Sequence, residues 1–323
     1  MSLSYLLNSG KNPKWKYYAV NSIRGIVPPC FYRLRLKRLL AEATARNDYN
    51  THIKPRVDYY NRLAENTPLG DAPPLSALKP AKEGSVYFYD SREHTSYFSP
   101  RLLCNFLFGD IIHVPELPSI VKSRPLSCDN KNSVVLKLVK IRHFIFVNDK
   151  IPFREKQNKA IFMGKVGGKE NRIQFMNLFF GHPLCDAADV SRKRADIPPE
   201  WQAPKKTIAE HLKYKFILAL EGNDVASNLK WIMSSNSVAV MPRPTCETWF
   251  MEGTLIPNYH YIEIAADFSD LEERLNHYIE HPGEAEQIIA NANRYVEQFK
   301  NKRREKLISL LVLDKYFKQT GQL

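Results

Sequence analysis

The chain has 323 residues, of which 44% are hydrophobic and 11% aromatic, and its formal net charge is +13. This length can bury a sizeable core and favours two domains over one, and the apolar content excludes a wholly disordered chain. The charge favours a negatively charged partner, such as nucleic acid, an anionic lipid, a phosphorylated glycan or a nucleotide sugar. No nucleic-acid partner is predicted, because no RNP, zinc-finger or helix-turn-helix signature accompanies the charge.

Membrane-spanning and cysteine-based signals are both missing from the sequence. No run of about 18 apolar residues occurs, and the first residues lack the pattern of a signal peptide, so we expect a cytoplasmic protein. The cysteines are odd in number and lack CxxC spacing, which argues against a zinc site or a disulfide framework. They are Cys30, Cys104, Cys128, Cys185 and Cys246.

Residues 1–66 carry much of the positive charge, with 12 Lys and Arg against 4 Asp and Glu. We expect this region to be mostly helical. Within it, Phe31 to Ala43 alternates leucines with four basic residues, Arg33, Arg35, Lys37 and Arg38. Such a basic amphipathic helix suits an anionic membrane surface. The alternative is a helix packed on the protein body with a solvated basic face.

The segment from residue 67 to residue 150 mixes short elements. A proline-rich loop, 67–82, is followed by a predicted strand at Val86 to Tyr89 and a short helix at Pro100 to Phe108. Strand composition returns at 119–122 and 144–147, and we expect a helical stretch between them near Ser133 to Leu138.

Alternating strands and helices follow from residue 160 onward. A strand at Ala160 to Gly164 precedes a helix at Arg172 to Phe179, and a strand at Phe216 to Leu220 precedes the turn residues Gly222 and Asn223. We expect the next helix to run from Val225 to Ser234, so that a diphosphate fits at its N-terminus. Many such strand–glycine–helix units bind nothing. With a later strand at 259–264 and helices at 271–280, 284–299 and 303–317, the pattern predicts a largely parallel sheet.

Several blocks in this half of the chain resemble glycosyltransferase family 90. They are Lys213-Tyr214-Lys215, Gly222, Lys230, Ser237-Val238, Glu247 to Phe250, His260-Tyr261 and Asp267 to Leu271. The similarity extends from about Ala160 to Phe299. The wording of Glu-Gly-Asn-Asp-Val-Ala-Ser-Asn-Leu-Lys-Trp is most similar to the branch of the family that builds bacterial lipopolysaccharide cores.

The resemblance implies an α/β protein of GT-B type, with two Rossmann-like domains facing a cleft and a helical basic N-terminal region. Residues 151–300 would be the nucleotide-sugar donor domain. Residues 67–150 would form the acceptor side, together with 1–66 and a C-terminal helix, 301–323, that returns to the N-terminal half.

The implied chemistry is an inverting transfer of a hexose from a UDP-sugar, which needs a base for the acceptor hydroxyl and positive charge for the leaving phosphate. No metal cofactor is expected, because GT-B enzymes manage without one and no clear Asp-x-Asp motif is present. Asp186 and Asp189 have the wrong spacing and are read as a solvated loop.

The resemblance also implies the donor-binding residues, which are Gly164, Arg172, Tyr214, Gly222, Asn223, Ser227, Lys230 and Glu247. Alternative roles remain open. Arg172 and Lys230 could be surface residues of helices, and Glu247 could be a charge at a helix N-terminus. Met163 and Asn228 stand where the family usually has arginines, so either nearby lysines compensate, Lys165 and Lys169 among them, or the donor is held differently.

Asp129 is the predicted proton acceptor, since it follows a strand and a turn in an order similar to that of the family. A helix N-cap is the alternative role for this residue. Asp149 and Asp110 are the reserves.

The function predicted is the transfer of a hexose to a lipopolysaccharide or lipooligosaccharide core, or a similar surface glycan. The expected partners are a nucleotide sugar, a lipid-linked glycan acceptor and the anionic surface of the inner membrane, to which the protein would be peripheral. A transferase for a protein or soluble acceptor, or a non-catalytic binding protein of the same fold, stays open.

Overall fold

The computed structural model describes residues 9–80, 85–126, 129–191 and 196–323. They fall into two compact units, each assembled from separate stretches of chain. The five-stranded unit comprises residues 9–12, Arg142–Pro244 and Thr254–Glu297. The three-stranded unit comprises Pro13–Ile141, Thr245–Gly253 and Gln298–Leu323.

The α-helices are α1 (Lys14–Ile26), α2 (Pro29–Thr44), α3 (Lys54–Tyr60), α4 (Ser85–Thr95), α5 (Lys140–His143), α6 (Glu170–Phe179), α7 (Ile208–His211), α8 (Leu229–Ile232), α9 (Leu271–Glu280), α10 (Pro282–Glu297) and α11 (Lys302–Gln319). The strands are β1 (Asn105–Leu107), β2 (Ser119–Val121), β3 (Ser123–Pro125), β4 (Ser133–Val135), β5 (Gln157–Gly164), β6 (Cys185–Asp189), β7 (Tyr214–Leu218), β8 (Val238–Met241), β9 (Cys246–Thr248) and β10 (Ile262–Glu263).

The five-stranded unit is built on a parallel sheet with the strand order β10-β8-β7-β5-β6. In register, Ile217 of β7 lies between Ile161 of β5 and Ala239 of β8. Every residue of β7 and of β8 is buried. Burial on both faces is the reason these strands read as continuous apolar runs rather than as alternating patterns.

Helices α6, α9 and α10 supply apolar side chains to the core of this sheet. Phe175 of α6 is fully buried and its ring contacts those of Phe162 and Phe268 edge-on. Leu275 of α9 and Ile288 of α10 belong to the same cluster. The core therefore fixes α6 directly after the loop that leaves β5, which positions the candidate site described below.

The three-stranded unit contains the parallel sheet β1-β2-β4 and the antiparallel pair β3-β9. Helix α11 lies at its centre, and most of its side chains are buried, including Leu310, Val312 and Leu313. Asn61 donates to the backbone oxygen of Val312 at 3.1 Å, and the Tyr316 hydroxyl donates to Pro118 O at 2.9 Å. The end of the chain is thus part of this unit's core.

A group of buried ions also lies in the three-stranded unit. Glu305 of α11 accepts from Arg56 at 2.5 Å, from Lys137 at 2.7 Å and from the Trp249 indole at 2.7 Å. The Trp249 ring in turn stacks on Tyr60 with a centroid distance of 3.9 Å. Burial by itself raises the pKa of Glu305, but the charges of Lys137 and Arg56 outweigh it and lower that pKa below its ordinary value.

The mixed α/β class with parallel sheets is confirmed, whereas several short elements differ from the sequence predictions. The segment predicted as a strand at 86–89 belongs to α4, and the helix predicted at 100–108 contains β1 instead. The stretch from residue 133, predicted helical, is strand β4, and residues 144–147 form no strand. The helix expected from Val225 to Ser234 is only the four residues of α8.

Candidate functional site

The carboxyl edge of the five-stranded sheet gathers several of the predicted donor-binding residues. Gly164 ends β5, and Gly222 follows the end of β7 by four residues. In open parallel sheets, ligands bind outside the carboxyl ends of the strands. This edge is therefore the first place to look for a nucleotide.

Arg172 of α6 connects the two loops that leave β5 and β7. Its guanidinium donates to Lys165 O at 2.9 Å, to Leu220 O at 2.6 Å and to Glu221 O at 3.0 Å. Burial lowers its pKa to about 10. A guanidinium has five N–H donors, so these bonds leave two for a ligand. Arg172 thus mainly holds the two loops together by hydrogen bonds, and two of its N–H groups are left to bind an anion.

Both predicted glycines lie where a side chain would disturb the hydrogen bonds of Arg172. A Cβ on Gly164 would come within 2.6 Å of the Phe162 ring and 3.4 Å of the Arg172 guanidinium. A Cβ on Gly222 would lie 3.2 Å from that guanidinium. The absence of side chains at these positions leaves room for the guanidinium beside both turns.

The loop from Gly164 to Lys169 joins β5 to the N-terminus of α6 and has the sequence Gly-Lys-Val-Gly-Gly-Lys. The Asp189 carboxylate at the end of β6 accepts the Val166 amide at 3.0 Å, which fixes the loop. Gly168 has φ +71, a conformation that favours glycine. Lys169, the residue before α6, provides no side-chain cap, and the Arg172 amide donates to the Asn171 side chain at 2.9 Å. The amides of Glu170 and Asn171 therefore keep their capacity for an anion.

Neighbouring polar groups tie the Gly222 turn to the start of α6. The Lys169 ammonium donates to the Asn223 side-chain oxygen, and Asn171 donates to Glu221 O at 3.1 Å. The structure therefore brings together Gly164, Gly222, Asn223 and Arg172 with Lys169. The sequence reasoning missed Asn171, which has no signal beyond its place beside Arg172.

Ser227 and Lys230 lie further along the same segment. Ser227 is exposed in the turn before α8, whereas Lys230 within α8 is fully buried. Four residues make too short a helix for an anion site at its N-terminus, since the aligned peptide dipoles are few. The helix on which the predicted diphosphate position at 222–227 depended is therefore too short to provide that site. Asn228, in place of the family arginine, donates to Leu218 O at 3.0 Å.

Tyr214 lies at the opposite, amino edge of the sheet, because it is the first residue of β7. Its hydroxyl donates to Asp186 at 2.5 Å and accepts from Lys206 at 3.1 Å. Burial and the neighbouring Asp186 raise the pKa of Tyr214. The structure does not bring this tyrosine together with the glycine turns, although it is close to Gly222 in sequence.

Glu247 belongs to the three-stranded unit, on β9. It forms an ion pair with Arg124 at 2.7 Å, both side chains being fully buried, and it accepts from the Tyr59 hydroxyl. Arg124 also donates to Tyr59 O at 2.8 Å and to Ser133 O at 3.1 Å. The Glu247 carboxylate therefore helps to hold strands β3 and β9 together. Its alternative role, a charge at a helix N-terminus, is wrong because Glu247 lies on a strand.

The three carboxylates considered as proton acceptors have different surroundings. The Asp129 side chain is 70% exposed and pairs with Lys131 at 3.2 Å. Asp149 is 2% exposed, pairs with Lys156 at 2.7 Å and accepts the Asn236 amide, which are contacts of a structural residue. Asp110 is 36% exposed and pairs with the buried Lys122.

Asp110 and Lys122 both lie at the carboxyl edge of the β1-β2-β4 sheet. Asp110 follows the end of β1 by three residues, and Lys122 directly follows β2. The Ser123 hydroxyl holds Ile111, the residue after Asp110, because it accepts the Ile111 amide and donates to Ile111 O, both at 3.1 Å. Among these three carboxylates, Asp110 is the one placed at a ligand-binding edge of a parallel sheet.

Asp186 and Asp189 do not converge on a common point. Asp189 is buried and accepts from the Val166 and Ser191 amides, whereas Asp186 contacts Tyr214. Among the residues that the structure describes, no three His, Cys, Asp or Glu side chains are grouped as metal ligands.

The predicted membrane-contact residues Arg33, Arg35, Lys37 and Arg38 are all exposed on α2. The sequence reasoning did not single out the apolar residues of α1, of which Trp15, Ile23 and Ile26 are 75%, 64% and 80% exposed. Their spacing at i, i+8 and i+11 would have revealed one helix face. None of the described helices combines the length and the apolar character needed to cross a membrane.

Comparison with known proteins identifies the family. The model of glycosyl transferase family 90 matches residues 135–317. The O-glucosyltransferase LpsA of Dichelobacter nodosus is 38% identical over 311 residues, which cover 94% of this chain and 95% of that protein. The match includes the Gly164 loop, Arg172 and the Gly222 turn, so the resemblance seen in the sequence is confirmed. The chain belongs to glycosyltransferase family 90 and is a glycosyltransferase.

Proposed function

We propose that this enzyme transfers a hexose, with inversion, from a UDP-sugar to a lipopolysaccharide core or a similar lipid-linked surface glycan. The family supports the reaction class, and a relative named an O-glucosyltransferase supports a hexose. In this proposal the five-stranded unit is the donor domain of a GT-B fold, and the three-stranded unit is the acceptor domain.

The glycine loop and the N-terminus of α6 carry the proposal. We assign the diphosphate of the donor to this loop, where the first amides of α6 and the helix dipole favour negative charge. Lys165 is exposed beside the loop, and Lys169 and Arg172 bracket the first turn of the helix. These cations stand in for the family arginines that Met163 and Asn228 replace.

The same cations are proposed to stabilise the leaving group without a divalent metal. As the acceptor oxygen bonds to the anomeric carbon, the bond from that carbon to the phosphate oxygen breaks and UDP leaves with the negative charge. Preorganised amides and ammonium groups near the phosphate lower the energy of this charge separation.

Asp110 is our proposed acceptor for the proton that the attacking hydroxyl loses. Its carboxylate is partly exposed at a sheet edge and is held by Lys122. The proton moves from the acceptor hydroxyl to an Asp110 oxygen while the new glycosidic bond forms.

The exposed surface of α1 and α2 supports a peripheral position on the cytoplasmic face of the inner membrane. It combines four basic side chains with apolar groups such as Ile26 and Leu34, each 80% exposed. Basic residues attract the anionic leaflet, and apolar residues insert at its boundary. The enzyme would bind its lipid-linked acceptor at that surface.

Calorimetry with UDP in the presence of EDTA tests the donor site. We expect binding without added metal, and we expect the Lys165→Gln, Lys169→Gln double variant to bind about 10- to 100-fold more weakly, as for lost charge-assisted hydrogen bonds. The matched control is Lys150→Gln, Lys213→Gln, which removes the same charge from exposed residues of the same unit. Lys213 directly precedes β7, at the amino edge of its sheet.

Transfer is then measured from UDP-glucose to a purified lipopolysaccharide core, again in EDTA. Product that forms only with added manganese or magnesium would contradict the metal-free mechanism. UDP affinity equal in the double variant and its control would show that the donor does not bind at the glycine loop. Transfer to a protein but not to the core would favour the alternative acceptor.

A further inference from the structure

A basic pocket lies in the three-stranded unit, and its lining residues are not those of the sheet edge at Asp110. Helices α1, α2, α4 and α11 contribute to it, and its principal lining residues are Arg24, Tyr32, Arg92, Glu93, Tyr97 and Lys306. The Tyr32 hydroxyl donates to Arg24 O at 3.3 Å, which connects α2 to α1 at the wall of the pocket. Three cations therefore face one carboxylate.

The single carboxylate is already strongly engaged. Glu93 pairs with Arg24 at 2.8 Å and with Lys140, which lies behind it. Burial raises the pKa of Glu93, but the neighbouring positive charges, that of Lys140 foremost, outweigh it and lower the pKa to about 2. Glu93 thus stays ionised and balances only part of the positive charge.

The other two cations have no carboxylate partner among the described contacts. The Arg92 guanidinium lies 5.6 Å from the centre of the Phe88 ring, and the Lys306 ammonium donates to the Tyr97 hydroxyl at 2.6 Å. Counting Arg24, Arg92, Lys306 and Lys140 against Glu93 and the buried Asp90, which also accepts from Lys140, leaves an excess of two positive charges.

An apolar groove adjoins the pocket and shares Arg92 and Ser96 with it. Six of its eleven lining residues are apolar, among them Leu75, Leu78, Phe88 and Phe98, and the polar ones include Arg33 of α2. Phe88 and Phe98 are buried, and Leu75 is 9% exposed, so the groove is a formed feature of the core surface. A basic pocket that continues into an apolar groove matches a molecule with an anionic head and a hydrocarbon tail.

Two of the helices that form the pocket, α1 and α2, also carry several exposed apolar residues. Ile23 and Ile26 flank Arg24 and Gly25 on α1, and Phe31 precedes Tyr32 on α2. A ligand in the pocket is therefore next to the surface for which membrane contact is proposed.

We propose that the pocket binds the phosphate monoester of a single membrane lipid, whose acyl chains lie in the apolar groove. This inference rests on the membrane contact in the proposed function, and it names the lipid class that the contact recognises. A phosphate monoester carries about −1.5 to −2 charge at neutral pH, which matches the excess of two cations. Arg92, shared by pocket and groove, contacts the phosphate at the point where the chains begin.

Calorimetry with short-chain lipids below their micelle concentration tests this site in the full chain. The probes are dihexanoyl phosphatidic acid, its dibutanoyl analogue, dihexanoyl phosphatidylcholine and inorganic phosphate. We expect dihexanoyl phosphatidic acid to bind at least about 10-fold more tightly than the choline lipid, since the latter lacks the net charge. It should also bind more tightly than the dibutanoyl lipid, by about fourfold for each methylene that becomes buried.

Variants assign the binding to the pocket. Arg92→Gln should weaken phosphatidic acid binding about 10- to 100-fold, whereas Arg101→Gln, the same charge loss at an exposed residue of the same unit, should not. Leu78→Asn should remove the gain from longer chains while inorganic phosphate binding stays unchanged. Melting temperatures of all variants establish that each is folded.

Three results would overturn the proposal. They are equal affinity for phosphatidic acid and phosphatidylcholine, inorganic phosphate that binds as tightly as the six-carbon lipid, and an Arg92→Gln affinity equal to that of the parent. UDP binding is measured on the same samples. Lost lipid binding with intact UDP binding contradicts this inference alone, whereas lost UDP binding in the parent protein contradicts the donor site.

Discussion

Asp110 and Asp129 differ in how firmly their carboxylates are positioned. A general base must hold one oxygen within hydrogen-bond distance of the acceptor hydroxyl, so a mobile carboxylate lowers the rate of transfer. Lys122, itself 4% exposed, fixes the Asp110 carboxylate, whereas Asp129 pairs with a lysine that is 57% exposed. The pair at Asp129 is a surface ion pair, which orders side chains only weakly.

Substitution of each aspartate by asparagine separates these roles. Asp110→Asn keeps the size of the side chain but cannot accept a proton, so we expect turnover to fall by about 10² to 10⁴ while UDP affinity is unchanged. The acidic limb of the pH–rate profile should disappear with it. Asp129→Asn should turn over within a few-fold of the parent, and steady-state kinetics at saturating donor measures both.

The melting temperature of Asp110→Asn is the control, because the change leaves the Lys122 ammonium without its carboxylate. If Asp129→Asn loses the activity and Asp110→Asn retains it, the prediction made from the sequence is the better one. Loss of activity in Asp110→Asn together with unfolding would be resolved with Asp110→Glu, which restores the charge and should recover part of the rate.

The structure brings some of the predicted donor-binding residues together because they are close along the chain to the elements that hold them. Gly164 ends a strand, Arg172 lies one turn into the next helix, and Gly222 follows the neighbouring strand. The positions of Tyr214 and Glu247 could not be predicted in this way. The position of Tyr214 depends on which edge of the sheet the start of β7 occupies. The position of Glu247 depends on its pairing with Arg124, which is 123 residues away in the chain.

At the scale of elements, α1 and α2 form the surface with the most exposed apolar and basic side chains of the three-stranded unit. Trp15, Ile26 and Leu34 are each at least 75% exposed. Isolated exposed apolar residues are ordinary, but several on two successive helices, beside basic residues, indicate an interaction surface. An interfacial helix buries such residues in the lipid boundary while its charges meet the headgroups.

Reversal of Arg33, Arg35, Lys37 and Arg38 to glutamate should abolish flotation with anionic liposomes. Each basic residue near an anionic surface contributes about 1 kcal/mol, so loss of four attractions lowers partitioning by more than about 10²-fold. Binding of the parent protein should also weaken as salt is raised. Sucrose-gradient flotation with phosphatidylglycerol and with phosphatidylcholine vesicles measures the effect.

The matched control reverses four exposed basic residues of the five-stranded unit, Lys150, Lys205, Lys213 and Arg294. It changes the net charge by the same amount. If the control floats as poorly as the α2 variant, net charge alone governs binding. If both float like the parent, α2 is a helix with a solvated basic face, as in the alternative considered from the sequence.

Predictions of elements succeeded where a segment has one clear hydrophobic pattern and failed where it is short. Strand β7 and the middle of β5 are buried apolar runs, and both were predicted. The residues of α4 include aromatic and β-branched types that favour strands, but tertiary packing buries Phe88, Ser91 and Thr95 on a helical face. The Val134-Val135 pair of β4 has strand propensity, and the prediction of a helix there gave it too little weight.

At the scale of the whole molecule, the order of the chain does not coincide with the order of the units. Residues 245–253 and 298–323 group with 13–141 to form the three-stranded unit. The segment 245–253 is short, and it adds strand β9 to β3. The local sequence pattern cannot reveal that the chain returns to this unit, because β3, the partner strand of β9, is more than a hundred residues away.

His94 connects the stability of the three-stranded unit to pH. Its imidazole is 3% exposed, its Nδ1 has no hydrogen-bond partner in the described part of the chain, and burial lowers its pKa from 6.5 to about 3. Between these two values the unfolded chain binds the proton and the folded chain does not. Stability is therefore fully present above pH 6.5 and falls as the pH is lowered toward 3.

We expect the free energy of unfolding to fall by up to about 1.4 kcal/mol per pH unit below pH 6.5 from this one histidine. His94→Phe keeps an aromatic ring in the cavity and cannot take up a proton, so its stability should depend less steeply on pH between 6.5 and 5. Urea unfolding followed by tryptophan fluorescence measures the slope. His113→Asn, which changes an exposed histidine of the same unit, should keep the slope of the parent. Equal slopes for the parent and His94→Phe would show that His94 takes up its proton in the folded state as readily as in the unfolded chain.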